Sequence, residues 1–117
     1  MKLSPKQMRE RGVNFLYYRK VAEDGQLSPV GGATIAFMER EPGVFIVETA
    51  MCVDDAVRNR KDNFNRKVGA MIAGGRLLFS SNACVFESKE KVLEFCNALT
   101  QNLGYVRQPG KKKKRRA

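Results

Sequence analysis

The chain has 117 residues, with 22 lysines and arginines against 12 aspartates and glutamates, no histidine, no tryptophan, and a formal net charge of +10. That length suits one domain able to bury roughly two thirds of its unfolded surface, without a disulfide or metal to hold it. Nothing approaches the roughly 18 apolar residues of a membrane span, and the opening MKLSPKQMRERG has no apolar core between its charges. Neither a membrane segment nor a secretory signal is therefore expected, and the cytoplasm is the expected compartment.

In chain order, Ser4 as a cap and Pro5 at the first helical position predict a short helix over residues 4–11, which Gly12 ends. From Val13, VNFLYYRKV is β-branched and aromatic and reads as a strand, with Phe15 and Tyr17 on one face and Tyr18 on the other. Strand aromatics are core residues more often than platforms for stacked bases. Core is the expectation here, with a tyrosine at the surface as the alternative. EDGQLSPVGG supplies Asp24-Gly25, Pro29 and Gly31-Gly32 as loop material. ATIAFMER and VFIVETAMCV follow as two strands, joined by the short turn EPG at 41–43 into an antiparallel hairpin. Neither strand alternates cleanly between apolar and polar, so both faces of the sheet are expected to be partly covered.

From Asp62 the period lengthens. Phe64, Val68, Met71, Ile72 and Gly75 recur at helical spacing as one apolar face, with Asp62 or Asn63 as the cap and Arg66, Ala70, Ala73 and Arg76 opposite. Gly69 and Gly74 weaken this helix by about 1 kcal/mol each relative to alanine, which calls for a packing or binding reason. Small side chains admit a close neighbour: Gly69 is expected to lie on the sheet, Gly74 to sit near the helix end and be free to change. LLFSSNACVF stays open between a loop and a strand. A last helix opens at Ser88 with Val92, Phe95, Cys96, Leu99 and Leu103 on one side, and Gly104 ends it.

These elements predict an α+β fold: a three-stranded antiparallel sheet, with a fourth strand open, packed against two C-terminal helices and preceded by a short N-terminal helix. Residues 1–106 form one compact domain and residues 107–117 a disordered basic tail. Cys52, Cys84 and Cys96 are odd in number, form no C-x-x-C pair and lie in apolar stretches, so each is expected to be a buried, inert thiol.

Catalysis mostly needs a placed base, nucleophile or metal. Here histidine is absent, the cysteines are scattered and carboxylates adjoin only at Asp54-Asp55. Asp54, Asp55 and Asp62 could hold a magnesium ion, but a strand end and a helix cap explain them better. No phosphate-cradling G-x-x-x-x-G-K-[ST] loop occurs. The expectation is a protein that is not an enzyme and has no cofactor.

Charge is more informative. Arg58, Arg60, Lys61, Arg66, Lys67 and Arg76 fall in a stretch where Asp62 is the only acid, and Lys111, Lys112, Lys113, Lys114, Arg115 and Arg116 are consecutive. Outside these two places 10 cations face 11 acids, so the entire excess lies in them. Such segregation fits a surface for a polyanion better than general solubility. These 12 residues are the candidate nucleic-acid contacts, for DNA or RNA held largely through phosphates. Two alternatives are an interaction protein that binds an acidic surface of a host protein, and a tail that serves as a nuclear-localisation signal.

The stretch DNFNRKVGAMIAGGRL, preceded by VETAMCVDDAVRNRK, resembles a pattern in small uncharacterised proteins of tailed bacteriophages. Their helix has the form D-x-F-x-R-K-x-G-x-x-I-A-x-G-R-L, matched by Asp62, Phe64, Arg66, Lys67, Gly69, Ile72, Ala73, Gly75, Arg76 and Leu77, and the likeness covers about residues 31–78. It implies a phage gene expressed in a bacterial cytoplasm with a host-takeover or genome-handling role, and it carries no activity; the KKKKRRA ending is not part of it. The order of helix, three strands and helix over residues 4–78 is also similar to that of double-stranded-RNA-binding domains. Those domains grip phosphates with lysines at the start of the last helix, whereas Arg66 and Lys67 are displaced into its first turns, and the helix at 88–103 has no place among them; the correspondence is in topology only.

Overall fold

A computed structural model describes residues 3–21, 24–52, 54–55, 60–61, 65–79, 83–101 and 103–108. The first helix, α1 (Pro5–Glu10), forms where the sequence places its cap: the Ser4 hydroxyl accepts from the Gln7 N–H at 3.2 Å, and the Gln7 side chain accepts from the Ser4 N–H at 2.8 Å. Gly12 takes φ +96°, and its N–H donates to the Arg9 carbonyl at 3.0 Å, which turns the chain out of the helix.

Three long strands follow: β1 (Asn14–Val21), β2 (Leu27–Glu41) and β3 (Val44–Cys52). The 41–43 turn closes β2 on β3 as the sequence predicts, with Glu41 paired to Val44 and the Glu39 carboxylate accepting from the Gly43 N–H at 3.0 Å. A two-stranded ladder, β4 (Asp54–Asp55) with β5 (Arg60–Lys61), precedes α2 (Arg66–Phe79). Then come β6 (Cys84–Phe86), α3 (Lys89–Gln101) and β7 (Tyr105–Arg107). The main sheet is five-stranded and antiparallel in the order β6-β3-β2-β1-β7.

The fold class is therefore α+β as expected, but the sheet is wider than three strands. The open stretch at 84–86 is a strand on the outer edge of β3, and Tyr105–Arg107 is another on β1. Residues 27–32, expected as loop, also belong to β2: Val21 pairs with Leu27, the register shifts, and Arg19 then pairs with Gly32 while donating from Nη2 to the Ser28 carbonyl at 2.8 Å. Pairing with β1 supplies the partner that this turn-rich segment cannot find locally.

The two C-terminal helices lie on opposite faces of the sheet. On one face Leu3, Met8 and Val13 join Ala36, Ile46 and Ala50 of the strands and Ala73 and Leu77 of α2. On the other, Leu16, Tyr18, Ala33, Ile35, Phe37 and Val47 meet Val92 and Cys96 of α3. Cover on both sides explains why β2 and β3 carry apolar residues on both faces.

The α2 helix departs most from its pattern. Its cap is Asn65, whose Oδ1 accepts from the Val68 N–H at 3.0 Å, rather than Asp62 or Asn63; residues 62–64 lie outside the described residues. Its buried face is Gly69, Ala70, Ala73, Gly74 and Leu77, the small-residue side. The expected apolar face looks outward instead, with Val68 50% and Ile72 42% exposed. Close approach is the reason. A methyl on Gly69 would sit 2.9 Å from Thr34 Cβ and closer still to Thr34 Oγ1. A methyl on Gly74 would meet Met8 Sδ and lie 3.2 Å from Phe15 Cζ, so Gly74 is packed and not free. Large side chains have no room there, and Val68, Met71 and Ile72 turn to the flank, where with Leu3, Met8, Gly75 and Phe79 they line a cavity of about 480 Å³.

In α3 the Ser88 hydroxyl caps the Lys91 N–H at 3.2 Å, and Val92, Cys96 and Thr100 are buried. Leu103 lies past the helix end, half exposed, and Gly104 at φ +71° turns the chain into β7. Burial pushes the Cys96 thiol up to about 11, consistent with an inert thiol. Cys84 is exposed on its edge strand, contrary to expectation. The Cys52 side chain lies outside the described residues.

Candidate nucleic-acid interface

The site begins with an unfinished sheet edge. β7 pairs with β1 only from Tyr18 to Lys20, and the Gln108 N–H adds one bond to the Tyr17 carbonyl at 2.7 Å. Along Asn14–Leu16, no strand among the described residues covers the outer edge of β1. A groove of about 870 Å³ follows this edge and reaches both faces of the sheet. On the α2 side it is lined by Arg9, Phe15, Tyr17, Arg66 and Lys67; on the α3 side by Phe37, Lys89, Leu93 and Arg107.

Strand alternation puts Phe15 and Tyr17 on the same face, with ring centroids 6.4 Å apart and planes within 22°. The start of α2 carries Arg66 over this pair, its Cζ 4.5 Å from the Tyr17 centroid, and α1 carries Arg9 over Phe15 at 5.5 Å. Both are cation–π contacts, worth about 0.5–2 kcal/mol each, and they hold two guanidinium groups over rings that line the groove. Tyr17 is buried beneath Arg66, and Tyr18 is fully buried on the other face, where its hydroxyl hydrogen-bonds Asn97 Oδ1 at 3.1 Å and burial raises its pKa. Neither tyrosine is at the surface, so the alternative of a bare tyrosine platform is set aside. The platform the fold offers is an arginine plane backed by a ring.

The electrostatics are one-sided. Arg9, Arg66, Lys67, Lys89 and Arg107 line the groove, and among the described residues no acid does. None of the five has an acidic side chain within 4 Å among the described residues. The first turn of α2 holds no acid either, although a helix N-terminus favours one, so its N–H groups add to the positive potential. Among the described residues no carboxylate or cysteine lines the groove, and the charged and aromatic groups present are those that bind anions and planar rings.

Of the residues singled out from the sequence, Arg66 and Lys67 enter this groove. Arg76 lies toward the far end of α2, where its Nη1 donates to the Thr49 carbonyl at 2.8 Å. Arg60 and Lys61 pair in register with Asp55 and Asp54, and their side chains, like those of the two aspartates, lie outside the described residues. So do Arg58, Asp62 and the whole run Lys111 to Arg116. Fold thus divides the strip that looks continuous in sequence. It recruits Arg9, Lys89 and Arg107, which sequence reasoning passed over. Arg9 stands beside Glu10 and Lys89 beside Glu90, so a running charge count cancels them. Arg107 falls in the segment expected as tail but belongs to β7.

Among the described residues, no helix is long and apolar enough to cross a membrane. No protein-family model matches the chain, and no curated protein or solved structure is significantly similar to it.

Proposed function

We propose that this chain is a non-enzymatic nucleic-acid-binding protein that holds DNA or RNA through its phosphates, with the groove beside β1 as the folded contact and Lys111–Arg116 as a second. One observation carries the reading: five cations from α1, α2, α3 and β7 converge on one groove that no acid among the described residues lines. Bringing like charges together raises the free energy of the unliganded protein, and a chain of phosphates is the partner that relieves it. In the tailed-phage helix pattern, Gly69 is the residue that seats the helix on Thr34, and Arg66 and Lys67 are the pair that reach the groove. On this reading the protein is of that phage type and handles nucleic acid in the cytoplasm of a bacterial host.

The test is fluorescence anisotropy with a labelled oligonucleotide across a salt series. Arg66→Gln with Lys67→Gln should weaken binding and lower the slope of log affinity against log salt by about 1 per lost contact, while the melting temperature changes little. Unaltered affinity in that double variant refutes the groove as the folded contact.

A second reading, an acidic surface on a host protein of the transcription or defence machinery, is favoured by the outward apolar row Val68, Ile72 and Phe79 beside Lys67 and Arg76. Affinity purification with and without nuclease separates the two. Loss of the partner on nuclease treatment supports the first, and one retained protein supports the second.

A further inference from the structure

We infer that the polymer this groove takes is single-stranded, running along the open edge of β1 with its bases on the Arg66–Tyr17 and Arg9–Phe15 pairs; the inference rests on the phosphate-binding reading above. Depth is the first ground. The rings line the groove on the α1–α2 face of the sheet, with Tyr17 buried and Phe15 half-buried rather than standing out as a flat surface. A duplex turns its bases inward and offers such a groove only phosphates, whereas a single strand can bring base faces to it.

Spacing is the second ground. The two rings are 6.4 Å apart, about twice the roughly 3.4 Å between stacked bases. Successive bases held one to each pair are therefore pulled out of their stack, which a single strand allows at small cost.

The choice of cation is the third. Both positions over rings are arginines, and the two lysines of the lining, Lys67 and Lys89, make no ring contact among the described residues. A guanidinium backed by an aromatic ring presents a flat second face on which any base can stack, whereas an ammonium is a point charge suited to phosphate. Arg66, half-buried with one face on Tyr17, lines the groove and acts as such a surface.

The experiment compares three probes of one length on the full chain at fixed salt: oligothymidylate, an abasic strand with the same phosphates, and a duplex. Tail residues contact phosphates alike in the first two, so the difference between them reports the groove. Oligothymidylate should bind about tenfold tighter than the abasic strand, within the roughly 5- to 150-fold range for one stacked base. Arg66→Lys, which keeps the charge and removes the plane, should erase most of that advantage, lowering oligothymidylate affinity several-fold more than abasic or duplex affinity. Should Arg66→Lys fail to fold, Arg9→Lys makes the same comparison over Phe15. Equal binding of oligothymidylate and abasic strand overturns the inference, as does an Arg66→Lys loss that is the same for all three probes; in either case binding through phosphates stands. No binding of any probe overturns both readings.

Discussion

Replacing Gly69 by alanine tests how closely α2 lies on the sheet. At an open helical position the change would stabilise by about 1 kcal/mol, because alanine narrows the unfolded ensemble and suits the helix. Here the new methyl would stand 2.9 Å from Thr34 Cβ and nearer to Thr34 Oγ1. Thr34 is 1% exposed in the middle of β2, and its Cβ is bonded to the backbone of a central strand, so it cannot swing aside. Overpacking of this kind costs about 1–3 kcal/mol. Relief would require α2 to lift from its whole contact, which would also open the packing of Ala73 and Leu77 on Ala36, Ile46 and Ala50. We expect a net destabilisation of about 1–2 kcal/mol, a fall in melting temperature of roughly 4–8 °C. Circular dichroism melts measure it. The double variant Gly69→Ala with Thr34→Ala removes Oγ1 and Cγ2 from the clash and should lose less than the sum of the single changes. A Gly69→Ala protein that melts at or above the parent temperature refutes the close packing and the account of why α2 presents its small face inward.

Gly75→Ala, four residues before the exposed end of a helix and with nothing within 4 Å of its added methyl, should stabilise by about 0.4–1 kcal/mol, whereas Gly74→Ala should destabilise because Met8 must move; melts of the two compare them directly. Arg76→Gln loses an exposed hydrogen bond to Thr49, so it should cost under about 1 kcal/mol of stability and leave oligonucleotide affinity within about twofold, unlike Arg66→Gln; a large affinity loss would move the interface toward the far end of α2. Deleting residues 111–117 should flatten the salt dependence of binding by up to about 5 units of slope, and a change under about 1 would exclude the tail as a phosphate contact. Burial raises the Cys96 thiol from its ordinary 9.0 to about 11, so its contribution is intact below pH 9 and is lost as pH rises toward 11, at about 1.4 kcal/mol per unit of difference. Melts over that range should fall more steeply for the parent than for Cys96→Ala, and equal slopes would show that another group, Tyr18 foremost, is responsible.

The elements legible in the sequence were those specified by short-range chemistry. Ser4 with Pro5, Ser88, the 41–43 turn and Gly104 act within a few residues of themselves, and each stands where it was expected. The mixed character of β2 and β3 also announced a sheet covered on both faces. Three other features had no local signal. β6 and β7 are three residues each, and only hydrogen bonding to β3 and β1 makes strands of them. The buried face of α2 was misread because hydrophobic periodicity scores the size of side chains, while a helix seated close on a sheet buries the face with the least side chain. The candidate site divides in the same way: Arg66 and Lys67 stood out because cations crowd that part of the chain, but Arg9, Lys89 and Arg107 did not. A count along the sequence adds charges that are neighbours in the chain, where Glu10 and Glu90 cancel them. A groove adds charges that are neighbours in space, and it is the pairing of β1 with β2 and β7, with helices on either face, that brings positions 9, 66, 67, 89 and 107 together and, among the described residues, leaves the acids outside.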